Sequence, residues 1–455
     1  MKRKLLAIAA LLSSSLFTNA QSWSVQSSGF THNGTYPFDI SIVDSNIAWA
    51  AGRDGAGTAI SIQEYTRTIN GGGLWTAGTV LTDTNYQFSN IMATSANVAY
   101  ATVFNNTLGE NGGIYKTVNG GSAWYQLGVG TIYNSTSFPD FTYFWDDMHG
   151  VTVGDPNPSE YEIYTTADSG HTWTAVPGGN IPNPTTGEFA IINDFGVYGD
   201  HMWFGTNKGR VYHSIDRGVN WTVANCGPAA NTIATISFVN LLEGLAVSSP
   251  TTGASTLYRS IDGGATWATV SVSGLLYFGE ITNIPGTHSF VSSSASGTVG
   301  GVTRGSSYSI DGGTSWVVID SFATGTGDGY TEMEFLNFNV GYAGGFTVDP
   351  ITEGISKWVP GGPLSVKPVA ETMQDLSAYP NPSSGLITVK MKVLNKEDIN
   401  IRVTDLLGNV VYSNNIKNSS VLFTKTIDLR NLAKGIYLVN IENGSNRSTE
   451  KIVIQ

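Results

Sequence analysis

The residues of this sequence best suited to chemistry lie within five positions of one another: Trp145, Asp146, Asp147 and His149. Carboxylates and an imidazole can transfer protons, and an aromatic ring beside them can stack on a sugar whose hydroxyls the polar groups bind. We therefore take Asp146, Asp147 and His149 as candidate catalytic residues and Trp145 as a candidate ligand contact. The same residue types also suit an ordinary hairpin corner, and this second interpretation stays open.

Other residues of similar chemistry follow in the chain. Asp155 stands in an Asp-Pro-Asn-Pro stretch shortly after His149, and Asp194, His201 and Trp203 lie about one repeat length further on. We expect these side chains to lie near the first group and to enlarge the same site.

A second candidate set is acidic and recurs at the start of predicted inner strands. Its members are Asp39, Asp140, Glu188, Glu280 and Glu332. Aligned repeats would place them around one mouth of a central channel as ligand-binding candidates. Three interpretations stay open: a solvated acidic rim, a site for a cation or cationic partner, and a carboxylate pair acting on a glycosidic bond. The last requires a separation of roughly 5 to 9.5 Å.

Composition limits what else the chain can do. Cys226 is the only cysteine, so an intramolecular disulfide is impossible, and we expect a buried thiol rather than a nucleophile. The sequence contains no cofactor fingerprint and no full set of metal ligands at a recognised spacing, so we expect neither a cofactor nor a metal. The 54 glycines and abundant aromatic residues favour many short strands joined by tight turns.

Charge is distributed unevenly along the chain. Residues 21–363 contain 9 basic and 27 acidic residues, a net charge of −18, whereas the residues after 363 carry a net charge of +3. A field of that sign repels nucleic acid and anionic membranes. We therefore expect no nucleic-acid partner and two domains with different partners.

One octapeptide pattern, Ser/Thr-x-Asp/Asn-x-Gly-x-x-Trp, occurs six times, and its tryptophans are 49, 49, 48, 46 and 49 residues apart. They are Trp75, Trp124, Trp173, Trp221, Trp267 and Trp316. This period is typical of a propeller blade. The Asp or Asn can accept hydrogen bonds from its own turn, and Gly adopts backbone conformations that other residues resist. We interpret each copy as a hairpin turn whose Trp packs in its own blade.

A second pattern, an apolar strand, a polar corner and a small-residue strand, occurs seven times. The seventh unit ends at residues 354–359 without an octapeptide, while residues 22–26 resemble the strand that follows one. We predict that this N-terminal segment supplies the outer strand of the last blade and closes a seven-bladed ring. A six-bladed ring with an additional hairpin is the alternative.

The octapeptides resemble the Asp-box, or BNR, repeats of sialidases and sortilin. Over residues 22–359 the alternating units are similar to β-propellers of the photosystem II assembly-factor type. The resemblance implies fold and carries little information about activity. The six arginines of residues 21–359 do not form the arginine set of a sialidase, and the Phe/Tyr-Arg-Ile-Pro motif is missing. Sialidase activity is therefore not expected.

Both chain ends carry features of an exported protein. Residues 1–20 combine three basic residues, a short apolar stretch and Thr18-Asn19-Ala20, which is typical of a cleaved signal peptide and too short for a membrane span. No other apolar run approaches a transmembrane length. We expect the mature chain to begin at Gln21.

The tail, residues 377–455, shows alternating strands with an Asn443-Gly444 hairpin signal, a pattern that predicts a small β-sandwich. It carries Tyr-Pro-Asn-Pro at 379–382, Asp-Leu-Leu-Gly-Asn at 405–409 and Lys-Ile-Val-Ile at 451–454. These motifs resemble the type A sorting domain of the Bacteroidota type IX secretion system. The resemblance implies handling by that machinery, passage across the outer membrane and frequent attachment to the cell surface.

Together these observations predict an all-β protein: a signal peptide at 1–20, a seven-bladed β-propeller at 21–359, a linker at 360–376 and a sorting domain at 377–455. We expect a secreted or cell-surface binding or scaffold module for a glycan or protein ligand. The alternative is a secreted carbohydrate-active enzyme, either a glycoside hydrolase or a polysaccharide lyase.

Overall fold

The structure is a computed structural model that describes residues 21–55, 61–83, 85–106, 112–295, 304–322, 329–345, 353–361, 373–393, 398–405, 410–417, 422–443 and 446–455. The predicted signal peptide, most of the predicted linker and residues 406–409 lie outside this part of the chain. Two compact units are present, residues 1–362 and 363–455, and each is described by itself.

The first unit consists almost entirely of short strands, with one 3₁₀ turn at Gly178–Asn180. In chain order the strands are β1 (Ser22–Ser27), β2 (Thr35–Ile42), β3 (Ala48–Asp54), β4 (Glu64–Thr68), β5 (Thr76–Thr79), β6 (Tyr86–Ala93), β7 (Ala99–Asn105), β8 (Gly113–Thr117), β9 (Tyr125–Leu127), β10 (Pro139–Phe144), β11 (Gly150–Pro156), β12 (Tyr161–Thr166), β13 (Thr174–Ala175), β14 (Ala190–Tyr198), β15 (His201–Thr206), β16 (Arg210–Ser214), β17 (Trp221–Asn225), β18 (Asn231–Phe238), β19 (Gly244–Pro250), β20 (Thr256–Ser260), β21 (Ala268–Thr269), β22 (Ser273–Gly274), β23 (Glu280–Asn283), β24 (Phe290–Ser294), β25 (Arg304–Ser309), β26 (Ser315–Phe322), β27 (Tyr330–Asn337), β28 (Val340–Gly345) and β29 (Gly354–Val359).

These strands form seven sheets, which are the blades of the propeller. Blades 1 to 5 are β2–β5, β6–β9, β10–β13, β14–β17 and β18–β21, blade 6 is β22–β26, and blade 7 is β27–β29 with β1. Each blade has four antiparallel strands, and blade 6 adds β22, which pairs parallel to β26. The inner strands contact one another in sequence, and β27 contacts β2, so the ring is closed.

Closure comes from the N-terminal strand, as the sequence predicts. β1 pairs antiparallel with β29, and Trp23 lies opposite Trp358 in this ladder. Their ring centroids are 5.1 Å apart, and Trp23 Nε1 donates to Ser306 Oγ at 2.9 Å. The outermost strand of blade 7 therefore comes from the start of the propeller, which holds the two ends of the ring together.

The octapeptides are hairpin turns between the third and fourth strands of their blades. In the first copy, Thr68 Oγ1 accepts the Gly72 N–H at 2.9 Å and donates to Asn70 Oδ1, which accepts the Leu74 N–H at 2.9 Å. The same three hydrogen bonds occur in all six copies. We call these segments the box turns; they are Thr68–Trp75, Thr117–Trp124, Thr166–Trp173, Ser214–Trp221, Ser260–Trp267 and Ser309–Trp316.

The box turns share one face of the propeller with the corners that join the first and second strands. Within blade 1 the Gly71 N–H donates to Asn46 O of that corner at 2.9 Å, and in blade 5 the Gly263 N–H donates to Leu242 O at 2.9 Å. Blades 2, 3 and 4 have the equivalent hydrogen bond. We call this side the box face.

The prediction that each box tryptophan packs within its own blade is wrong for Trp75 and Trp124, which pack across a blade junction, whereas Trp173, Trp221 and Trp267 contact an aromatic ring of their own blade. Trp124 of blade 2 packs against Trp49 and Tyr65 of blade 1, with centroids 6.2 and 5.5 Å apart. Trp75 of blade 1 packs edge-on against Tyr342 of blade 7 at 5.2 Å. A large flat ring fills the gap that opens between two twisted sheets, where it buries more apolar surface than within one sheet.

The described residues of the second unit form seven strands: β30 (Met373–Tyr379), β31 (Leu386–Val393), β32 (Ile399–Thr404), β33 (Val410–Ile416), β34 (Leu422–Asp428), β35 (Gly435–Asn443) and β36 (Asn446–Ile454). They form the sheets β30-β31-β34 and β33-β32-β35-β36. Ile387 and Val389 from one sheet and Ile401, Val439 and Ile452 from the other share one buried core, as in a β-sandwich. β30 begins at Met373, inside the segment predicted as a linker. Met373 and Gln374 belong to a strand because they pair with Val393 and Lys392 of β31.

Candidate functional site

The first candidate set lies in the corner between β10 and β11, on the box face. Asp146 Oδ1 accepts the backbone N–H groups of Met148 and His149, both at 2.8 Å, and lies 2.9 Å from His149 Nδ1. Hydrogen bonds from the His149 and Met148 N–H groups lower the pKa of Asp146, so this carboxylate stays ionised. Asp44 and Asn240 make the same pair of backbone hydrogen bonds in blades 1 and 5.

These contacts favour an architectural role for Asp146, whose catalytic role stays a prediction together with that of Asp147 and His149. The Asp147 side chain is exposed, and its carboxylate accepts no hydrogen bond from any residue that the structure describes. Trp145 is half-buried, and its Nε1 donates to Gly199 O of blade 4 at 2.8 Å. The indole is therefore fixed at the junction of blades 3 and 4.

Arg217 joins the same two blades from the other side. Its Nε donates to Asp200 Oδ1 at 2.7 Å and its Nη1 to Asp146 Oδ2 at 3.2 Å. The guanidinium carbon lies 5.9 Å from the centroid of the Trp145 ring. Sequence reasoning missed Arg217 as a part of this site.

A signal for this residue exists in the box turns. The fourth position of every box turn has a left-handed backbone, and glycine occupies it in four copies. The two exceptions are Ser169, at φ 63°, and Arg217, at φ 59°, in blades 3 and 4. A side chain in that conformation is unfavourable and persists only where surrounding contacts hold it, as they often do at functional sites.

Between these two box turns lies a groove of about 280 Å³. It is lined by Trp145, His149, Gly150, Thr165, Thr166, Ala167, Thr174, Asp216, Arg217 and Val219. The second box position, which is Ala167 here, is an exposed Ile or Val in the other five copies. The small side chain of Ala167 therefore leaves open a space that a larger residue would narrow.

Asp155 is not part of this groove, so the prediction that it lies beside Asp146 and His149 is wrong. Strand β11 separates the two positions and carries Asp155 roughly 20 Å away, to the opposite end of the blade, at about 3.3 Å per residue. Trp203 is also inaccessible, because its fully buried ring stacks between His213 and Phe238, with centroids 4.6 and 3.7 Å away.

His201 lies beside that stack and outside the groove. Its Nδ1 is 3.0 Å from His213 Nε2, so one of the two rings is neutral. Burial, with His201 nearby, lowers the pKa of His213 to about 4. The His201 ring therefore belongs to the packing between strands β15 and β16.

Asp155 forms a buried carboxyl pair with Asp140. Asp140 is completely buried, and neither of its oxygens accepts an N–H or O–H, whereas Asp155 Oδ1 accepts the Ala190 N–H at 3.0 Å. Burial and the adjacent carboxyl raise the pKa of Asp140 well above its usual range, and burial raises the pKa of Asp155 to about 7. We infer that Asp140 is protonated and donates to Asp155. Carboxyls in such direct contact are too close for a glycosidase pair.

Glu188 belongs to a separate buried network of blade 4. Its Oε2 accepts Arg210 Nη1 at 2.6 Å and the Thr185 N–H at 2.7 Å, and its Oε1 accepts the Thr206 hydroxyl at 2.8 Å. All of these donors lie in the same blade, and Glu188 is only 4% exposed. Its carboxylate therefore stabilises the start of blade 4 and does not face the channel.

Strand register identifies the set of residues that does surround the channel. In blades 1, 2, 3, 5 and 6 the member pairs with the second-strand residue three positions after the one that pairs with the first box residue. In blade 7, which has no box turn, the member is Glu332, which pairs with Gly344, and in blade 4 it is Asp194, which directly precedes the paired residue Phe195. We call this set the inner ring. Its members are Asp39, Asn90, Phe141, Asp194, Thr235, Glu280 and Glu332. Three of the five predicted acidic residues are members, Asp140 and Glu188 are not, and Asp194 takes the place expected for Glu188.

Inner-ring side chains bind the edge of the next inner strand. Asp39 accepts the Ile91 N–H, Asn90 accepts the Thr142 N–H at 3.0 Å, and Thr235 accepts the Ile281 N–H at 3.2 Å. The innermost strand of each blade has an unpaired edge, so its N–H groups need partners from outside their own sheet. This requirement explains polar residues at the inner ring without a ligand.

The channel contains a cavity of about 290 Å³. Its polar lining includes Asp39, Asn193, Glu332 and Glu334, while Phe195 and Phe335 are among its apolar residues. Glu334 was missed from the sequence; its Oε2 accepts the Ile42 N–H at 2.7 Å.

The expectation of a solvated acidic rim is wrong for Asp39, Asp140 and Glu188, which are 5%, 0% and 4% exposed; Glu280 and Glu332 are half-buried. Burial raises the pKa of Asp39 and of Glu280 to about 7, and burial with Glu280 and Asp39 nearby raises the pKa of Glu332 well above its usual range. The channel carboxyls therefore hold protons at a pH where surface carboxyls are ionised.

Within the described residues no group of three His, Cys, Asp or Glu side chains is arranged to hold a metal ion. Over the same part of the chain no helix is long and apolar enough to cross a membrane.

Comparison with known proteins identifies the tail and the fold. Residues 377–455 match the family model of the secretion system C-terminal sorting domain. No curated protein matches the sequence significantly. A solved structure described as YCF48 bound to D1 peptide is 16% identical, covers 75% of this chain and 97% of its own, and superposes with a TM-score of 0.51. Identity this low supports the propeller fold alone.

Two further solved propellers have lower TM-scores and carry no argument about this chain. The Niastella koreensis GH74 enzyme is 14% identical, covers 91% of this chain and 74% of its own, and has a TM-score of 0.30. The Penicillium chrysogenum alpha-L-arabinanase complexed with arabinobiose is 11% identical, with 75% and 98% covered and a TM-score of 0.42.

The matched tail carries a functional conclusion because a type IX sorting domain directs the protein that bears it to the secretion machinery. The chain is therefore a secreted, all-β protein in which a seven-bladed β-propeller precedes a type IX secretion system C-terminal sorting domain.

Proposed function

We propose that this protein is a cell-surface or secreted binding module whose propeller recognises a glycan in the groove between blades 3 and 4. The observation that carries the proposal is the open groove itself, which places the Trp145 indole beside three threonines, His149 and Asp216. An aromatic ring supplies a stacking surface for a sugar, and hydroxyls, imidazole and carboxylate bind its hydroxyl groups.

The rigidity of the groove supports a binding role. Trp145 is held by Gly199 O, and Arg217 is held by two carboxylates, so neither side chain has to be ordered when a ligand arrives. Preorganised contacts lose less conformational entropy on binding. Among the box turns, a residue other than glycine occupies the left-handed fourth position only in the two blades that form the groove, at Ser169 and Arg217.

Export and surface attachment complete the proposal. The predicted signal peptide at residues 1–20 would take the chain across the inner membrane, and the sorting domain at 377–455 would pass it to the type IX machinery. In this role the propeller is displayed at the outer-membrane surface or released, where glycans and surface proteins are available as ligands.

A secreted glycoside hydrolase or polysaccharide lyase is the competing function. Of the carboxyls considered for it, Asp140 and Asp155 contact each other directly, and Asp146 is engaged by backbone and side-chain donors. Neither arrangement is suited to a general acid and base acting across a glycosidic bond. The contacts therefore support binding over catalysis.

A glycan array probed with the mature chain, followed by reducing-sugar and lyase assays on each glycan that binds, tests the proposal. Ala167→Ile gives the third box turn the aliphatic residue found in other copies, so it fills the groove and preserves the turn. We expect Ala167→Ile and Trp145→Ala to reduce glycan affinity at least tenfold, a loss of about 1.4 kcal/mol.

Tyr125→Ala is the matched control, because Tyr125 is an exposed aromatic residue on β9, outside the groove. The glycan affinity of the Tyr125→Ala variant should equal that of the unmodified protein. Binding that survives both groove variants would place the ligand elsewhere on the propeller, and product release in the assays would replace the binding role by an enzymatic one.

A further inference from the structure

The charges around the groove define the class of glycan that it accepts. Building on the binding role proposed above, we propose that the groove selects glycans that carry free, protonated amino groups, such as glucosamine oligomers, over neutral and uronic acid glycans.

The groove has an excess of negative charge. Asp216 and Arg217 line it, Asp146 and Asp200 are paired with Arg217, and Asp168 follows the lining residue Ala167 in the box turn of blade 3. Four negative groups against one positive group attract a cationic ligand and repel an anionic one, and the net charge of the propeller adds in the same direction.

These carboxylates are ionised at neutral pH. Hydrogen bonds from the Thr172 hydroxyl and N–H lower the pKa of Asp168 to about 2. Burial works against ionisation at Asp216, yet the donors of Asn220 and Ser214 lower its pKa overall. The groove therefore keeps its negative charge over the range in which a sugar amine is protonated.

Arg217 does not turn the groove into an anion site. Its guanidinium already donates to Asp200 and Asp146, so its charge is balanced by two carboxylates before any ligand arrives. A uronic acid would have to displace one of these partners and would then face the remaining carboxylates. A protonated amino sugar would not have to displace Arg217 from either carboxylate and would be attracted by the carboxylates around it.

Two features of the groove suit an amino sugar in particular. The Asp216 carboxylate lines the groove together with Trp145, so it can bind an ammonium group there. The Trp145 ring can bind both the apolar face of a sugar and a nearby cation. Thr165 and Thr174 add hydroxyls for the remaining sugar oxygens.

The repeat supplies variants that change charge and keep the turn. Asn70 and Asn119 occupy the box position of Asp168 and Asp216 in other blades, and each accepts the same backbone N–H at 2.9 Å. Asp168→Asn with Asp216→Asn should therefore fold normally while removing two charges at the groove. Asp262→Asn with Asp311→Asn removes two equivalent charges in blades 5 and 6.

The experiment is calorimetric titration of the mature full-length chain with oligosaccharides of glucosamine, N-acetylglucosamine and galacturonic acid of equal length. We expect glucosamine oligomers to bind most tightly and their affinity to fall with added salt. The groove double variant should lose roughly fivefold in affinity, equivalent to about 1 kcal/mol, since each exposed ion pair contributes about 0.5 kcal/mol. The blade 5 and 6 double variant should stay within twofold of the unmodified protein.

Each contrary result has a distinct meaning. Equal binding of the acetylated and free-amine oligomers would overturn the proposed selectivity and leave the glycan-binding role intact. Preferential binding of the galacturonic acid oligomer would also overturn the selectivity without affecting the glycan-binding role. Equal losses in both double variants would assign the effect to net charge instead of the groove. Failure of every glycan in the array and in calorimetry would remove the binding role on which the selectivity rests.

Discussion

At the scale of single residues, this propeller uses carboxyl groups in two opposite ways. The box carboxylates Asp262 and Asp311 are exposed, accept two or more hydrogen bonds and have lowered pKa values. The inner-ring carboxyls Asp39 and Asp194 are buried and have raised pKa values. Exposure and the number of donors, rather than residue type, decide which carboxyls carry charge.

The Asp140–Asp155 pair leads to a prediction about pH. Because their pKa values are raised in the folded state, the folded protein binds more protons than the unfolded chain above about pH 4. The stability that the shared proton provides is therefore present at low pH and lost as pH rises through about 7. In Asp140→Asn an amide N–H replaces the shared proton, so this loss should disappear.

Denaturant unfolding at pH 5 and pH 8 measures the effect. We expect Asp140→Asn to match the unmodified protein at pH 5 and to exceed its unfolding free energy by about 1 to 3 kcal/mol at pH 8, the usual cost of an unsatisfied buried polar group. Asp262→Asn serves as the control, since its carboxyl has a lowered pKa. An equal pH dependence in Asp140→Asn and the unmodified chain would show that the pair does not share a proton.

The candidate site was only partly predictable from the sequence. Trp145 was recognised from its residue type, but Arg217 was not, because its relevance depends on a left-handed backbone and on contacts across blades. The sequence pattern places Asp140 and Glu188 at strand starts, but the register shifts near Pro139 and after Ala190 displace them from the inner ring. A single-residue shift changes the side of the sheet to which a side chain points.

At the scale of elements, the box turn stabilises the hairpin through its first residue. Ser260 Oγ accepts the Gly264 N–H at 2.8 Å and donates to Asp262 Oδ1 at 2.8 Å, and Ser260 is buried. Ser260→Ala leaves that N–H without a partner and frees the carboxylate. The unfolding free energy should fall by about 1 to 2 kcal/mol.

Ser260→Thr is the matched variant, since threonine occupies this position in three other box turns. Urea unfolding should give a lower midpoint for Ser260→Ala with an unchanged slope, and a midpoint near the original value for Ser260→Thr. A midpoint unchanged in both variants would mean that the backbone conformation at Gly264, at φ 87°, is sufficient to hold the turn.

Basic side chains form a second recurring element between blades. Arg67 Nη1 donates to Ala96 O, Lys116 Nζ donates to Ser169 O at 2.9 Å, and Lys357 Nζ donates to Gly71 O at 2.6 Å. All three residues immediately precede the first box position or its equivalent in blade 7 and reach the next blade. Since residues 21–363 contain only nine basic residues, these three contacts leave few cations to balance the surface carboxylates.

At the scale of the whole molecule, the architecture was largely predictable from the sequence. The regular spacing of the tryptophans gave the blade length, and the unmatched segments at 22–26 and 354–359 indicated how the ring closes. The position of the Trp75 and Trp124 indoles between blades was not predictable, because a pattern along the chain contains no information about the distance to the neighbouring sheet. The register of the strands within each blade was not predictable for the same reason.

Ring closure by β1 leads to the last prediction. Trp23 packs against Tyr330, Phe335 and Trp358 of blade 7, and Gln26 Oε1 accepts Trp75 Nε1 of blade 1 at 3.1 Å. Since β1 contacts both blades, removing residues 21–27 should expose the edge of β29 and uncover an indole on each side of the junction.

Hydrogen–deuterium exchange on the mature chain and on a chain starting at Ser28 locates the effect. We expect faster exchange in β27–β29 and β2–β5, with β10–β21 unchanged, because most contacts of a blade are with its two neighbours. Val25→Ser, which alters an exposed side chain of β1, should exchange like the mature chain. Uniformly faster exchange across all seven blades would instead show that the ring unfolds as one cooperative unit, and unchanged exchange in blades 1 and 7 would show that closure does not depend on β1.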